Sequence, residues 1–210
     1  MRVAVVDYGM GNLRSVSKAV EHVAPAARVE VTSDPVRVAD ADRVIFPGQG
    51  AMPDCMREMD SRGLRPAVLA AARSRPFLGI CIGLQMLFER SDEGGVDGLA
   101  VFPGNVRRFP KPAMVDSKGR KLTVPHMGWN RVKQGEHPLW SGVEDGNRFY
   151  FVHSYFPEVK DEGLVQGTTE YGVPFTCAVA RDNIFAVQFH PEKSNTAGLR
   201  LLANFLNWNP

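Results

Sequence analysis

Cysteine is scarce in this chain. Three occur in 210 residues, Cys55, Cys81 and Cys177, an odd number with no C-x-x-C pair. That pattern excludes a disulfide framework and fits free thiols in a reducing, cytoplasmic setting. No group of His, Cys and carboxylates has ligand spacing, so neither a metal nor a cofactor is expected. No apolar run nears the ~18 residues that cross a bilayer. The first such run, Val3–Val6, ends at Asp7 and reads as a strand, not a signal peptide. An excess of one charge is lacking too. The net is +2 with no basic block, so neither nucleic acid nor a membrane is an expected partner. There is no internal repeat and no low-complexity tract.

What is present suits an ordinary globular protein. With 44% hydrophobic residues the chain can bury a sizeable core, and its length fits one domain over residues 1–210. β-branched runs alternate with helical patterns through the first half. They predict strands over 2–7, 28–32, 43–46 and 76–80. Helices are predicted over 12–23 with Asn12 as N-cap, over 53–74 with a break near Gly63–Pro66, and over 82–90. Such alternation implies an α/β fold: a mainly parallel central sheet with helices on both faces. After residue 95 the texture changes. Short runs at 105–109, 129–133, 148–152, 164–169, 175–180 and 184–189 predict antiparallel strands. Some would extend the main sheet and some would form a smaller one. A last helix covers 195–207, with Leu199, Leu202, Phe205 and Leu206 on one side. Residues 110–124, polar and locally basic, read as a mobile surface loop.

One cysteine stands apart. Gly79-Ile80-Cys81-Ile82-Gly83 is G-x-C-x-G between a strand and a helix, the thiol form of a nucleophile elbow. Such a turn exposes its nucleophile and needs small flanking residues. The helix start would favour thiolate, and the Ile82 N–H would face a developing oxyanion. A buried packing cysteine beside two glycines is the competing reading.

A thiol nucleophile needs a base. Of the histidines His22, His126, His137, His153 and His190, the last ends a strand and is followed by Pro191 and Glu192. Strand ends are where α/β active sites form, and Glu192 could fix the imidazole tautomer. A surface turn explains His-Pro-Glu equally well when it is taken alone. Upstream, Pro47-Gly48-Gln49-Gly50 makes a tight turn that could supply a second oxyanion donor. A phosphate cradle is the alternative there, but the spacing is wrong for it. The turn in Asp7-Tyr8-Gly9-Met10-Gly11-Asn12 lacks the third glycine of a dinucleotide fingerprint.

Taken in order, PGQG, GICIGLQ and HPE closely resemble the class I, triad-type glutamine amidotransferases. Within that family, DYGMGNLRSV, PHMGWN, YFVHSY and HPEKS are similar to blocks of the glutaminase subunits of imidazole glycerol phosphate synthase. The resemblance covers essentially the whole chain. It implies a three-layer, flavodoxin-like amidotransferase fold and a catalytic triad of Cys81, His190 and Glu192. The oxyanion donors would be the N–H groups of Gln49 and Ile82. Gly50, Gln85, Glu93, Ser154 and Tyr155 would hold glutamine. Gln49 stands where the family often carries valine, a change that a backbone donor tolerates. The implied partner is a (β/α)8-barrel cyclase subunit in a heterodimer, faced by Asn12, Arg14, Trp129, Tyr150 and Lys193. On residue type alone, Trp129 and Tyr150 could instead be core aromatics. His126 and His153 read as structural or pocket-supporting, His22 and His137 as solvated, and Cys55 and Cys177 as inert packing thiols. The rival functions are a stand-alone cysteine hydrolase on the same fold and a non-catalytic binding module. The second would be expected to lack a triad member.

Overall fold

The computed structural model describes residues 1–110, 114–116 and 118–210. The first half runs β1 (Arg2–Val6), α1 (Leu13–Val23), β2 (Arg28–Thr32), α2 (Pro35–Ala39), β3 (Arg43–Gly48), α3 (Met52–Ser61), α4 (Arg65–Ser74), β4 (Phe77–Cys81) and α5 (Ile82–Gln85). The second half adds β5 (Arg90–Ser91), β6 (Gly104–Arg108), β7 (His126–Arg131), β8 (Lys133–Gln134), β9 (Arg148–His153) and β10 (Tyr155–Val159). It ends with β11 (Val165–Glu170), β12 (Pro174–Arg181), β13 (Ile184–Val187) and α6 (Asn195–Asn207).

Eight strands form the main sheet in the order β2-β1-β3-β4-β13-β12-β11-β8. The first five pair in parallel and the rest antiparallel. β13 was expected to be antiparallel, yet it is parallel to β4 and antiparallel to β12. It is the strand where the pairing changes. The order 2-1-3 makes the chain reverse direction across the sheet after β2. Right-handed crossovers running in opposite directions put α1 and α2 on opposite faces. Central strands read as continuous apolar runs because both faces are covered: β3, β4 and β13 are buried at every residue. Two smaller sheets, β10-β6-β5 and the ribbon β7-β9, stand beside the main one, where the sequence suggested one.

Several local expectations need correction. Asn12 precedes α1 but makes no side-chain cap bond. α5 is one turn long, not the helix over 82–90. The carbonyls that would extend it are taken by a distant loop: Met86 accepts from Leu99, Leu87 from Val101 and Phe102, and Phe88 from Ala100. A helix whose acceptors are claimed by tertiary partners stops there. The short α2 went unpredicted, although Asp34 caps Val36 N–H at 2.9 Å and Pro35 opens the helix. In α6, Leu201 joins Leu202, Phe205 and Leu206 in the core, and Leu199 sits at its margin. Of the 110–124 segment, residues 111–113 and 117 lie outside the described residues. The rest includes a Val115–Lys121 bridge and a turn held by Asp116.

Candidate active site

Parallel pairing assembles the site. Gly48 at the end of β3 lies in register with Cys81 at the end of β4, and Val187 near the end of β13 lies beside Ile80. Three carboxyl ends therefore meet at one sheet edge, and the PGQG turn, the elbow and the HPE turn all start there.

Cys81 has φ 56° and ψ −110°, a left-handed backbone conformation that a β-carbon disfavours. Close packing holds it there. A Cβ on Gly83 would sit 1.8 Å from the Phe46 carbonyl oxygen, and one on Gly48 would sit 2.7 Å from the Ile82 Cβ. The elbow is present, but it does not expose the residue: Cys81 is only 3% exposed and lines a partly open cavity. With α5 one turn long, a helix dipole contributes little to thiolate formation.

The cavity has a volume of about 290 Å³. Its lining includes Cys81, His190, Gln49, Gly50, Ile82, Gln85, Glu93, Ser154 and Tyr155. Every residue expected to bind glutamine therefore reaches one space. His190 Nδ1 lies 2.8 Å from Glu192 Oε1, with the two side chains 3% and 1% exposed. Burial opposes charge on His190, but the Cys81 sulfur and the Glu192 carboxylate outweigh it and push the imidazole up to about 10. Its Nε2 is buried with no hydrogen-bond partner among the described residues, as are Glu192 Oε2 and Gln85 Oε1. His190 and Gln85 line the cavity, whereas Glu192 does not.

Some supports were not foreseen. Gln188 is fully buried, its Nε2 3.7 Å from Cys81 Sγ. The Ser194 hydroxyl donates to the His190 carbonyl at 2.6 Å and accepts from Tyr150 N–H at 3.0 Å. The Tyr8 hydroxyl donates to the Pro47 carbonyl at 2.7 Å, and the Cys55 thiol approaches the Gln49 carbonyl at 3.6 Å. Cys55 is thus more than packing. Burial pushes its thiol up to about 11, so it stays a protonated donor. Cys177 is fully buried, and burial likewise pushes its thiol up. Glu93 lines the cavity while its Oε2 accepts the Met52 N–H at the start of α3, at 2.8 Å.

The residues assigned to a partner surface divide. Trp129 and Tyr150 are directly paired across the β7-β9 ribbon, their rings 6.1 Å apart, and Lys193 stands 5.8 Å above the Tyr150 ring. Trp129 is 44% exposed and its same-face neighbour Met127 63%, which rules out the core reading for Trp129. Among the described residues, no hydrogen bond or ion pair joins the Asn12 or Arg14 side chain to that trio. They sit at the start of α1, which packs on the turn Pro191–Lys193.

His22 is exposed as expected, but His137 is not solvated. It accepts the Leu139 N–H at 3.2 Å and packs on Phe185 and Trp208. Burial lowers His137 and His126 to about 4 and His153 to about 3. Their folded values lie below the unfolded 6.5, so their contribution to stability is complete above that pH. It is lost as pH falls, because only the unfolded chain takes up protons. Between pH 6.5 and 5, above most of the carboxylate range, each should cost up to about 1.5 kcal/mol. Urea midpoints measured across that window are expected to fall. His137→Asn keeps a cap acceptor without a titrating ring and should flatten the slope by about a third. An unchanged slope would show that His137 is not held neutral.

The glutamine amidotransferase class-I family profile matches residues 4–208. The imidazole glycerol phosphate synthase subunit HisH of Dechloromonas aromatica (strain RCB) is 69% identical over 208 residues, 99% of this chain and 97% of the relative. The subunit of the same name from Thiobacillus denitrificans is 67% identical over 209 residues, 99% of this chain and 92% of its own. Among solved structures, a chain of PurLQS from Thermotoga maritima superposes with a TM-score of 0.71 at 20% identity, covering 98% of this chain and 97% of that one. A glutamine amidotransferase crystal structure gives a TM-score of 0.71 at 18% identity, with the same coverages. The likeness to these two structures is one of fold.

Proposed function

The chain belongs to the class I glutamine amidotransferase family, and from that premise we propose that it is the glutamine-hydrolysing subunit of an imidazole glycerol phosphate synthase in histidine biosynthesis. The observation that carries the reading is the convergence of Cys81, the His190–Glu192 pair and the PGQG turn on one cavity. The relatives named as this synthase's subunit, at 69% and 67% identity over nearly the whole chain, support the choice of pathway.

This reading implies a mechanism. Glutamine enters with its side-chain amide at Cys81. Gly50, Gln85, Glu93, Ser154 and Tyr155 hold the rest, the Glu93 carboxylate near the α-ammonium group. The sulfur attacks the amide carbon, and the negative oxygen that forms is received by the N–H groups of Ile82 and Gln49. His190 gives its Nε2 proton to the leaving nitrogen, and ammonia departs as the γ-glutamyl thioester forms. Water then adds to the thioester and loses its proton to His190. Glutamate leaves and the thiol is restored. Glu192 holds the imidazole in the required tautomer throughout.

Ammonia passes to a (β/α)8-barrel cyclase partner in a heterodimer. The face of exposed Met127 and Trp129 and half-buried Tyr150, with Lys193 beside it, suits such a partner, since an aromatic anchor and a flanking cation are common in interface centres. The chain acts in the cytoplasm, where its three cysteines, all free, remain reduced. Among the described residues, no helix is long and apolar enough to cross a membrane.

The test is glutamate release by the purified chain alone, with the cyclase, and with the cyclase plus its ribotide ligand. Strong stimulation only in the full mixture, abolished in Cys81→Ser, is the expected result. Equal, rapid hydrolysis in all three would favour a stand-alone hydrolase and remove the partner from the reading.

A further inference from the structure

We propose that Gln188 is a fixed N–H donor to the Cys81 sulfur, locked in that orientation by Gln85, whose own orientation is set by the Tyr155 carbonyl. The inference rests on Cys81 being the nucleophile.

The direction of each bond can be worked out from one fixed point. The Tyr155 carbonyl can only accept. It faces His153 Nδ1 at 2.8 Å and Gln85 Nε2 at 2.9 Å. His153 therefore carries its proton on Nδ1, and its neutral ring leaves Nε2 bare. That bare nitrogen lies 3.0 Å from His126 Nδ1, which must then be the donor. His126 Nε2 is left as an acceptor, 3.5 Å from Asn130 Nδ2. The same Asn130 nitrogen donates to the Glu170 carbonyl at 2.7 Å, which confirms it as the amide's donor end.

On the other side of Tyr155 the same logic runs to the nucleophile. Gln85 must present its nitrogen to the Tyr155 carbonyl. The second hydrogen of that nitrogen meets Gln188 Oε1 at 3.0 Å. With its oxygen so engaged, Gln188 turns its nitrogen to Cys81 Sγ at 3.7 Å. A flipped Gln188 would set two buried N–H donors against each other and aim an oxygen at the sulfur. The Gln188 backbone is also tied down, its N–H donating to the Cys177 carbonyl at 2.8 Å. An N–H aimed at sulfur favours thiolate over thiol, and it favours the sulfur again as the leaving group of the thioester. Gln188 thus supplies what a one-turn α5 does not. His153 shares the Tyr155 carbonyl with Gln85 and lines the same cavity, and neither it nor His126 sets the orientation of Gln188.

The test reads thiol reactivity apart from turnover. Iodoacetamide alkylation of Cys81 is followed by mass of its peptide in the chain alone. Glutamate release is followed with the cyclase and its ribotide ligand. Gln188→Met keeps length but removes the donor, and should slow alkylation and lower kcat by about tenfold, as for loss of one bond to a charged acceptor. KM for glutamine should stay within about twofold, because the change acts on the sulfur. Gln85→Met removes the amide that orients Gln188 and should slow alkylation in the same direction by roughly threefold. Wild-type alkylation in Gln188→Met, or a loss seen in KM alone, would overturn the proposal. Should Gln188→Met not fold, an unchanged alkylation rate in Gln85→Met would do so. Because alkylation needs no glutamine, failure of the glutaminase reading would show separately, as a wild-type chain that releases no glutamate in the full mixture.

Discussion

Cys81→Ala should lower glutamate release by at least ~10⁴-fold, and adding His190→Ala to it should cost almost nothing more. The reason is that the residues form one device. His190 is buried, and it is held protonated by the Cys81 sulfur and by Glu192 at 2.8 Å. Once the sulfur is gone there is no nucleophile to serve, so the imidazole has no remaining role. His190→Ala alone should be nearly as damaging, since no other imidazole can take over. His153 and His126 are buried in their own hydrogen-bonded file, and burial keeps both neutral near physiological pH. Glu192→Gln should cost less, about 10²–10⁴-fold, because an amide can offer an N–H to Nδ1 and select the wrong tautomer. Calorimetry should still detect glutamine binding to Cys81→Ala, since most of the cavity lining is unchanged. Losses that simply added, with Cys81 and His190 each contributing independently, would mean that the two residues do not act on the same bond.

The parts of the site visible in the sequence are those whose chemistry is local. PGQG, GICIG and HPE each pack a function into a few consecutive residues, and the parallel sheet then brings them to one edge. Central strands were legible for a similar reason, since burial on both faces leaves unbroken apolar runs. What stayed hidden depends on distant partners. The helix over 82–90 was a sound reading of periodicity, but the 98–102 loop takes its carbonyls. β10 escaped notice because it contains Pro157, which usually argues against a strand. It is an edge strand of its sheet, where a missing N–H is tolerated. His137 looked solvated because nothing nearby in sequence announces Phe185 and Trp208. Gln188 left a fainter trace. It is the one polar residue in Ile184–Phe189, and it lies two positions before His190. A buried polar residue at strand spacing from a catalytic one is a signal that could have found it.

Gly83→Ala is expected to destabilise the fold by more than ~3 kcal/mol, or about 6–12 °C in melting temperature, and to remove activity with it. A Cβ there would lie 1.8 Å from the Phe46 carbonyl oxygen and 2.9 Å from its carbon. Both atoms belong to the backbone of β3, in the middle of the parallel sheet, so no side chain can swing aside to relieve the clash. Gly79→Ala is milder, because its nearest contacts are the Ala186 Cβ at 3.0 Å and the Gly83 oxygen at 3.2 Å, distances that small shifts can open. About 1–2 kcal/mol is expected there. Gly48→Ala should separate stability from catalysis. Its Cβ would meet the Tyr8 hydroxyl at 2.5 Å, the Ile82 Cβ at 2.7 Å and the Gly83 backbone nitrogen at 2.9 Å; the Tyr8 tip can move, but the other two atoms yield only if the turn shifts. What cannot move without consequence is the turn itself, since Tyr8 holds it through the Pro47 carbonyl and it must place the Gln49 N–H opposite Ile82. Gly48→Ala should therefore cost about 2–3 kcal/mol, less than Gly83→Ala, yet lose most of its glutaminase rate through kcat. Equal losses of stability and rate across all three variants would mean that the glycines serve only to pack the elbow. A rate loss out of proportion at Gly48 would assign the turn its part in stabilising the oxyanion.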